Sequence, residues 1–230
     1  MSGDYLDKRL SIIIPTYLEE KTLGYLLAKL DSSLKEEYRF EIIVSDGGST
    51  DGTIDIASRF ADIVVQHTLP TKQNIAQGRN AGAKVANTEI LIFLNSDCLP
   101  HDIPFFFDFI TKWSTDFSIG NKTNIDAIAC KVKAMPDDKK SRDSFFYFIL
   151  NKYFHFLNVI GIGMGRGECQ IVRRDLFNKV GGYNSVLAAG EDFDLYRRIK
   201  KSGASIYFSN ELEIYESPRR FRKYGYIKTL

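Results

Sequence analysis

Cysteine is scarce and its spacing is uninformative: Cys98, Cys130 and Cys169 are the only three, and no Cys-x-x-Cys occurs. An odd count without that spacing argues against a disulfide framework or a structural zinc site. It suits a reducing compartment, so the expectation is a cytoplasmic chain. Histidine is equally sparse, and His67, His101 and His155 lack metal-ligand spacing. Charge of one sign is missing too. Lys and Arg number 31 against 29 Asp and Glu, and a net +2 is far from a dedicated nucleic-acid binder. No uncharged apolar run reaches the ~18–20 residues of a spanning helix, and the mixed-charge start Met1–Lys8 does not read as a signal peptide. No G-x-S-x-G elbow marks a hydrolase, and no register of Gly161–Gly167 gives G-x-G-x-x-G. That glycine run follows an aromatic helix rather than a strand, and is expected to be a flexible acceptor-side loop or hinge.

What is present is ample apolar material: 44% of 230 residues, enough for a sizeable core and too much for disorder. Leu10–Ile14, Phe40–Val44, Asp62–Gln66 and Glu89–Leu94 are short runs rich in Ile and Val, the pattern of strands buried on both faces. Between them Leu23, Leu26, Leu27, Leu30 and Leu34, then Ile54, Ile56, Ala57 and Phe60, follow the helical period. Asn74–Ala86 is loaded with Ala and Gly, as a helix in close approach to its neighbour would be. Strand and helix alternating in this way predict right-handed βαβ units and an α/β fold on a mostly parallel sheet. Further on, His101–Trp113 reads as a helix, Ile125–Val132 as a strand, and Cys169–Val172 as a strand leading into a helix at Asp175–Val180. A helix at Glu191–Lys201 and two short strands near Ile206 and Ile214 complete the pattern. No linker is visible, so residues 1–230 are expected to form one domain of two packed halves.

In an open parallel sheet, ligands bind beyond the carboxyl ends of the strands. Those positions carry Pro15-Thr16-Tyr17-Leu18-Glu19, Asp46-Gly47-Gly48-Ser49-Thr50-Asp51-Gly52, Gly78-Arg79-Asn80-Ala81-Gly82 and Asn95-Ser96-Asp97. Taken singly, each has a plainer reading: a glycine turn with helix caps, a cap before Pro100, a surface arginine. Their joint convergence on one edge points to a nucleotide pocket.

The segments SIIIPTYLEE, EIIVSDGGSTDGT, QGRNAGAKVANTEILIFLNSD and VGGYNSVLAAGEDFDLYRRIKKSG resemble the ordered signatures of family 2 glycosyltransferases of the GT-A fold, across residues 10 to 225. The resemblance implies an inverting transferase that moves a sugar from a nucleotide-diphosphate donor to an acceptor hydroxyl, carbohydrate or lipid-linked. Residues 10–98 would be the nucleotide-sugar half, 99–216 the acceptor half, and 217–230 a basic C-terminal segment. Pro15, Thr16, Tyr17, Glu19, Asp46, Gly47, Ser49 and Asp51 would hold the nucleoside end of the donor, with Asp46 accepting from the base. Arg79 and Asn80 would line the same pocket. Asn95-Ser96-Asp97 stands where the family carries Asp-x-Asp, with Asn replacing the first Asp. Asp97 would bind a divalent cation, Mg²⁺ or Mn²⁺, because charge building on a leaving diphosphate calls for a hard cation with oxygen ligands. The late histidine of some members is absent. Asp192 stands at the catalytic base, with Glu191 supporting it, and Asp194 is expected to face solvent or Arg197 and Arg198.

Three features stay open. First-turn acids such as Glu191 and Asp192 also arise simply to offset the helix dipole. The Ser217–Lys223 segment reads either as a solvated basic tail or as Arg219 and Arg220 folding over the diphosphate. Ser141–Ile160 reads as an amphipathic helix, with Ser144, Asn151, His155 and Asn158 on one face and Phe145, Phe146, Ile149, Tyr153, Phe156 and Ile160 on the other. The aromatic face is expected to be core, the alternative being peripheral contact with the inner face of a membrane. The rival functions are a nucleotidyltransferase, whose Gly-rich phosphate loop should follow the first strand where PTYLEE stands, and a non-catalytic sugar-nucleotide-binding protein.

Overall fold

The four Ile- and Val-rich runs become β1 (Leu10–Thr16), β2 (Phe40–Asp46), β3 (Ile63–Gln66) and β4 (Ile90–Leu94), all mutually parallel. The computed structural model describes residues 9–226, the side chains of Asp138, Arg220 and Tyr224 excepted. The Met1–Lys8 reading and the last four residues of the basic segment therefore lie outside the described residues. Four more strands extend the sheet: β5 (Cys98–Pro100), β6 (Ala127–Ala134), β7 (Cys169–Arg173) and β8 (Ile206–Glu216), giving the order β3-β2-β1-β4-β7-β6-β8-β5. β7 runs antiparallel to both β4 and β6, so the parallel half joins the second half through one reversed strand.

Each buried strand sends alternate side chains to opposite faces, and both faces are covered. Ile12, Ile14, Ile42 and Val44 meet α1 (Glu20–Lys29), α3 (Thr53–Phe60) and α5 (Ile103–Asp116) through Leu23, Leu27, Ala57, Phe107 and Trp113. Ile13, Ile43, Leu91 and Phe93 meet α4 (Ile75–Val85), α7 (Arg174–Lys179) and α8 (Glu191–Lys201) on the other side. β1 lies between β2 and β4, so the chain leaves it once in each direction. This is the switch point that opens a crevice at the carboxyl ends.

Four local expectations need correcting. The leucine-rich stretch is two helices, because Leu30 closes α1 and the Asp31 carboxylate accepts from Leu34 N to start α2 (Ser32–Tyr38). The two short strands near Ile206 and Ile214 are one continuous β8. It passes a register shift opposite Cys130/Lys131 by offering the Ser209 hydroxyl to the N–H groups of Glu211 and Leu212. The basic tail is a packed helix, α9 (Arg219–Tyr224), whose Phe221 is buried and whose Arg222 pairs with buried Asp143. In α6 (Ser141–Val159) the faces are reversed. Tyr147, Leu150, Asn151, Phe154 and Leu157 go inward, and most of the aromatic set faces out. Asn151 can be buried because its amide bonds both N and O of Val132, satisfying a strand backbone that would otherwise lack partners. Among the described residues no helix is long and apolar enough to cross a membrane.

The Ala- and Gly-rich α4 lies close on the sheet as its composition predicts. A Cβ on Gly82 would stand 2.5 Å from Ile13 Cγ2, inside any tolerable contact. Gly82→Ala gains helix propensity of about 1 kcal/mol but overpacks the core at a typical cost of about 1–3 kcal/mol. Urea denaturation of G82A should show net destabilisation. A stabilised G82A would mean that α4 stands off the sheet.

Candidate active site

A cleft of about 810 Å³ opens at the carboxyl ends of β1 and β4. Pro15, Thr16, Tyr17 and Glu19 form one wall, with Ser45 and Gly47 from β2 and Lys72 and Gln73 from the loop before α4. The Lys72 ammonium lies 4.4 Å from the centre of the half-exposed Tyr17 ring. Asp46 lies beneath this wall rather than on it. Its carboxylate accepts from Thr16 Oγ1 (3.1 Å), Gly48 N (2.9 Å), Ser49 N (2.8 Å) and the Ser49 hydroxyl. Four donors of its own chain leave Asp46 pinning the turn, with Gly48 at φ +95°. Ser49 extends the tie by accepting from Leu18 N at 2.9 Å. Asp51 caps α3 through Thr53 N and Oγ1, and these bonds hold its carboxyl below the usual range. Asn80 binds Tyr183 N and O and Ser185 Oγ, locking α4 to the 183–185 segment. Asp46, Asp51 and Asn80 thus shape the cleft from behind.

Arg79 is 1% exposed and joins four parts of the chain. From α4 it donates Nη1 to Glu191 Oε1 (2.9 Å), and Nη2 to both Asn95 Oδ1 (3.0 Å) and Gly167 O (2.7 Å). Its guanidinium also lies 5.1 Å from the Tyr183 ring centre. The tip of β4, the loop before β7 and the first turn of α8 therefore meet on one cation. Asn95 is engaged here: its amide oxygen accepts from Arg79, a task that a neutral side chain can perform. Glu191 likewise serves Arg79 rather than lying free in the cleft.

Asn95, Ser96 and Asp97 all reach the cleft wall. Among the described residues the Asp97 carboxylate has one side-chain partner, the Cys98 thiol at 3.6 Å, a weak donor. Burial raises its proton affinity, and the Glu168 charge adds to this. An under-partnered carboxylate at a strand tip fits a hard cation that takes its remaining ligands from phosphate and water. Asn95, with its oxygen engaged, does not add to that set.

Across the cleft, α8 begins after Gly190 at φ +77°. Asp192 is on the wall, and among the described residues Oδ1 accepts from Phe193 N alone, at 2.9 Å. A Cβ on Gly167 would lie 3.1 Å from both Arg79 Nη2 and Asp192 Oδ2, so this glycine lets the cation and the acid share one space. Burial lifts the Asp192 pKa to about 6, Arg79 pulls it down, and Glu191 and Glu168 push it up. Asp194 turns to Arg198 as expected, at 2.8 Å.

Sequence reasoning missed the far wall. Arg166 is buried between Glu168 and Glu216, the Tyr147 hydroxyl donates to Glu216 at 2.7 Å, and Arg166 Nη1 has no partner among the described residues. Burial and the Glu168 charge push the Glu216 carboxyl well above its usual range, while Arg166 overrides burial at Glu168 and keeps it low. Two acids thus share one arginine, with the proton affinity of Glu216 raised and that of Glu168 lowered. Only the Arg-x-Glu at 166–168 hinted at this in the sequence, inside a glycine run read as a hinge. That loop is packed instead: a Cβ on Gly165 would lie 2.8 Å from the Tyr196 ring, and Asn158 brackets Met164 N and O. Arg219 is exposed and bonds Ser217, away from the wall, although its charge counters the rise at Asp97. The Arg220 side chain lies outside the described residues.

Comparison with known proteins places this geometry. The model of the family described as Glycosyl transferase family 2 matches residues 11–181. The glycosyltransferase AglE of Haloferax volcanii is 26% identical over 213 residues, covering 88% of this chain and 64% of that protein. The chain therefore spans less than two thirds of that curated relative. The mannosyltransferase PcManGT of Pyrobaculum calidifontis, solved with GDP-Man and Mn²⁺, superposes with a TM-score of 0.64 at 20% identity, covering 91% of this chain and 56% of its own. TarS 1–349 of S. aureus with UDP-GlcNAc gives 0.62 at 22%, covering 91% and 58%. At such identities the likeness establishes the GT-A fold alone.

The raised Asp192 carboxyl has a consequence for stability. Its folded pKa of about 6 exceeds the ordinary aspartate value of 3.8, so the charged acid opposes folding above that window and not below it. Asp192→Asn should therefore stabilise the protein by about 1–3 kcal/mol at pH 8, converging on wild type near pH 4. Thermal melts across that range test this, and equal or lower stability of D192N at pH 8 would show that the acid is well solvated.

Proposed function

The chain belongs to glycosyl transferase family 2, and on that premise we propose that it transfers a sugar from a nucleotide-diphosphate donor to an acceptor hydroxyl, inverting the anomeric centre, with a divalent cation at the diphosphate. One observation carries the reading: two half-buried carboxylates, Asp97 and Asp192, stand on the wall of one cleft in environments suited to different tasks. Among the described residues the one side-chain partner of Asp97 is a thiol, a weak donor, and this carboxylate is suited to a cation. Asp192 is a base poised near neutrality, as proton abstraction from an alcohol requires.

The donor nucleoside sits along Pro15, Thr16 and Tyr17, with Lys72 positioned to offset phosphate charge. Asp97 would hold the cation, which would supply positive charge against the leaving diphosphate. Asp192 takes the acceptor proton as the acceptor oxygen forms its bond to the anomeric carbon. The bond from that carbon to the donor phosphate oxygen breaks, and its electron pair leaves with the nucleoside diphosphate. Attack from the face opposite the diphosphate inverts the centre, through an oxocarbenium-like transition state. Arg79 holds Glu191, and with it the first turn of α8, in register with the tip of β4. The acceptor is a saccharide hydroxyl, free or lipid-linked, a reading in keeping with the apolar Leu150, Phe154 and Phe193 on that side of the cleft. A nucleotidyltransferase reading lacks its phosphate loop, since no glycine follows β1 until Gly24.

The tests separate the two acids. Asp192→Asn should lower transfer by about 10²–10⁴-fold while leaving nucleoside diphosphate affinity near wild type. The wild-type rate should climb as pH rises through about 6, where Asp192 ionises. Asp97→Ala should erase the Mn²⁺ dependence of nucleotide binding in calorimetry. Retained transfer in D192N, or an unchanged metal response in D97A, would remove the respective residue from its role. Release of pyrophosphate in place of nucleoside diphosphate would refute the reaction class.

A further inference from the structure

α6 is apolar on both sides. Its inner residues Tyr147, Leu150, Phe154 and Leu157 are in the core, yet Phe145, Phe148, Phe156 and Val159 on the outer side are 65%, 59%, 56% and 69% exposed. Ile149, Tyr153 and Ile160 are half exposed beside them, and Ile162 continues the strip. A contiguous strip of eight large apolar side chains is more than monomers in water ordinarily leave uncovered.

We propose that this outer face of α6 docks on the surface of an anionic lipid bilayer. Charge singles out that occupant. Arg142 and Lys152 are exposed on α6, no acid is exposed there, and Asp143, its single acid, is buried under Arg222 and Tyr226. Lys139 and Lys140 precede the helix, with exposed Asp137 before them, and the basic helix α9 packs against the same end through Phe146 and Phe221, ring centres 5.1 Å apart. At the other end, Gly161 and Gly163 lie against Lys200, followed by exposed Lys201. An aromatic strip with cations at both ends and along it matches the headgroup boundary of a bilayer. A second copy of the chain matches poorly. A two-fold contact would set the strip against itself, leaving Arg142 and Lys152 with no acid of that face to meet.

The proposal does not depend on the catalytic reading, but it bears on it. α6 also sends Leu150 and Phe154 into the cleft, so docking through the outer face brings the cleft beside the headgroups, where a lipid-linked acceptor would be presented.

The full chain should float with phosphatidylcholine vesicles containing about one third phosphatidylglycerol, release as salt rises, and bind phosphatidylcholine alone far less. Phe148→Ser/Phe156→Ser should weaken partitioning about ten-fold or more, and Arg142→Gln/Lys152→Gln should weaken it at low salt. Thermal melts and nucleotide affinity of these variants should stay near wild type. If the serine variant does not fold, Phe148→Trp replaces it, and its emission should shift to the blue on the anionic vesicles. Three results would overturn the proposal: no flotation of wild type, equal flotation of wild type and F148S/F156S, or an unshifted F148W spectrum. So would a dimer in light scattering that F148S/F156S dissolves while wild type ignores vesicles. Failure here would leave the transfer reaction untouched, since that is read on soluble substrates.

Discussion

The guanidinium of Arg79 is the contact on which the site depends. It comes from a helix of the nucleotide half, yet its bonds go to Asn95 at the tip of β4, to the carbonyl of Gly167 and to Glu191 on α8. A buried arginine needs partners for its donors, and here three parts of the chain must arrive together to serve Nη1 and Nη2, while Nε has no partner among the described residues. The same cation lies against Asp192 and tempers the rise in proton affinity that burial imposes. The placement of α8 and the proton affinity of Asp192 thus both depend on one side chain. Gly167 makes room for both, because any side chain there would press on the guanidinium and on the carboxylate.

The cleft carries more acid than base, and its charges are arranged to be tolerable without being quenched. Glu168 and Glu216 share Arg166, with the proton affinity of Glu216 raised by burial and its carboxyl accepting from Tyr147. Among the described residues Asp97 has no cation bonded to it, and Asp192 accepts from a backbone N–H. Both are raised by burial, the expected state of carboxylates kept for chemistry instead of stability. Such a site stores unfavourable electrostatics, which the cation and the proton transfer proposed for it would relieve.

The parallel half was legible because β1, β2 and β4 are buried on both faces and so read as unbroken Ile and Val runs. The close seat of α4 was legible in its glycines. The identity of the cleft loops was legible from their place at strand ends. What those side chains do was not. Asp46 looks like a ligand until its four internal donors are seen, and Arg79 finds Glu191 across 112 residues of sequence. The single strand β8 was hidden because a hydroxyl, Ser209, carries it through a register shift. α6 misled for a different reason. With apolar residues on both sides its periodicity marks no inner face, and the burial of Asn151 depends on the backbone of Val132, a tertiary fact.

The most direct measurement is a double-mutant cycle on stability by chemical denaturation, using Arg79→Gln, Glu191→Gln and the pair. A buried ion pair that organises the cleft should make either single variant about 3–5 kcal/mol less stable, because each leaves a charge without its partner. The pair should recover about 1–3 kcal/mol of the summed loss. Additive losses, with no recovery in the pair, would mean that Arg79 and Glu191 do not hold the two halves of the site together.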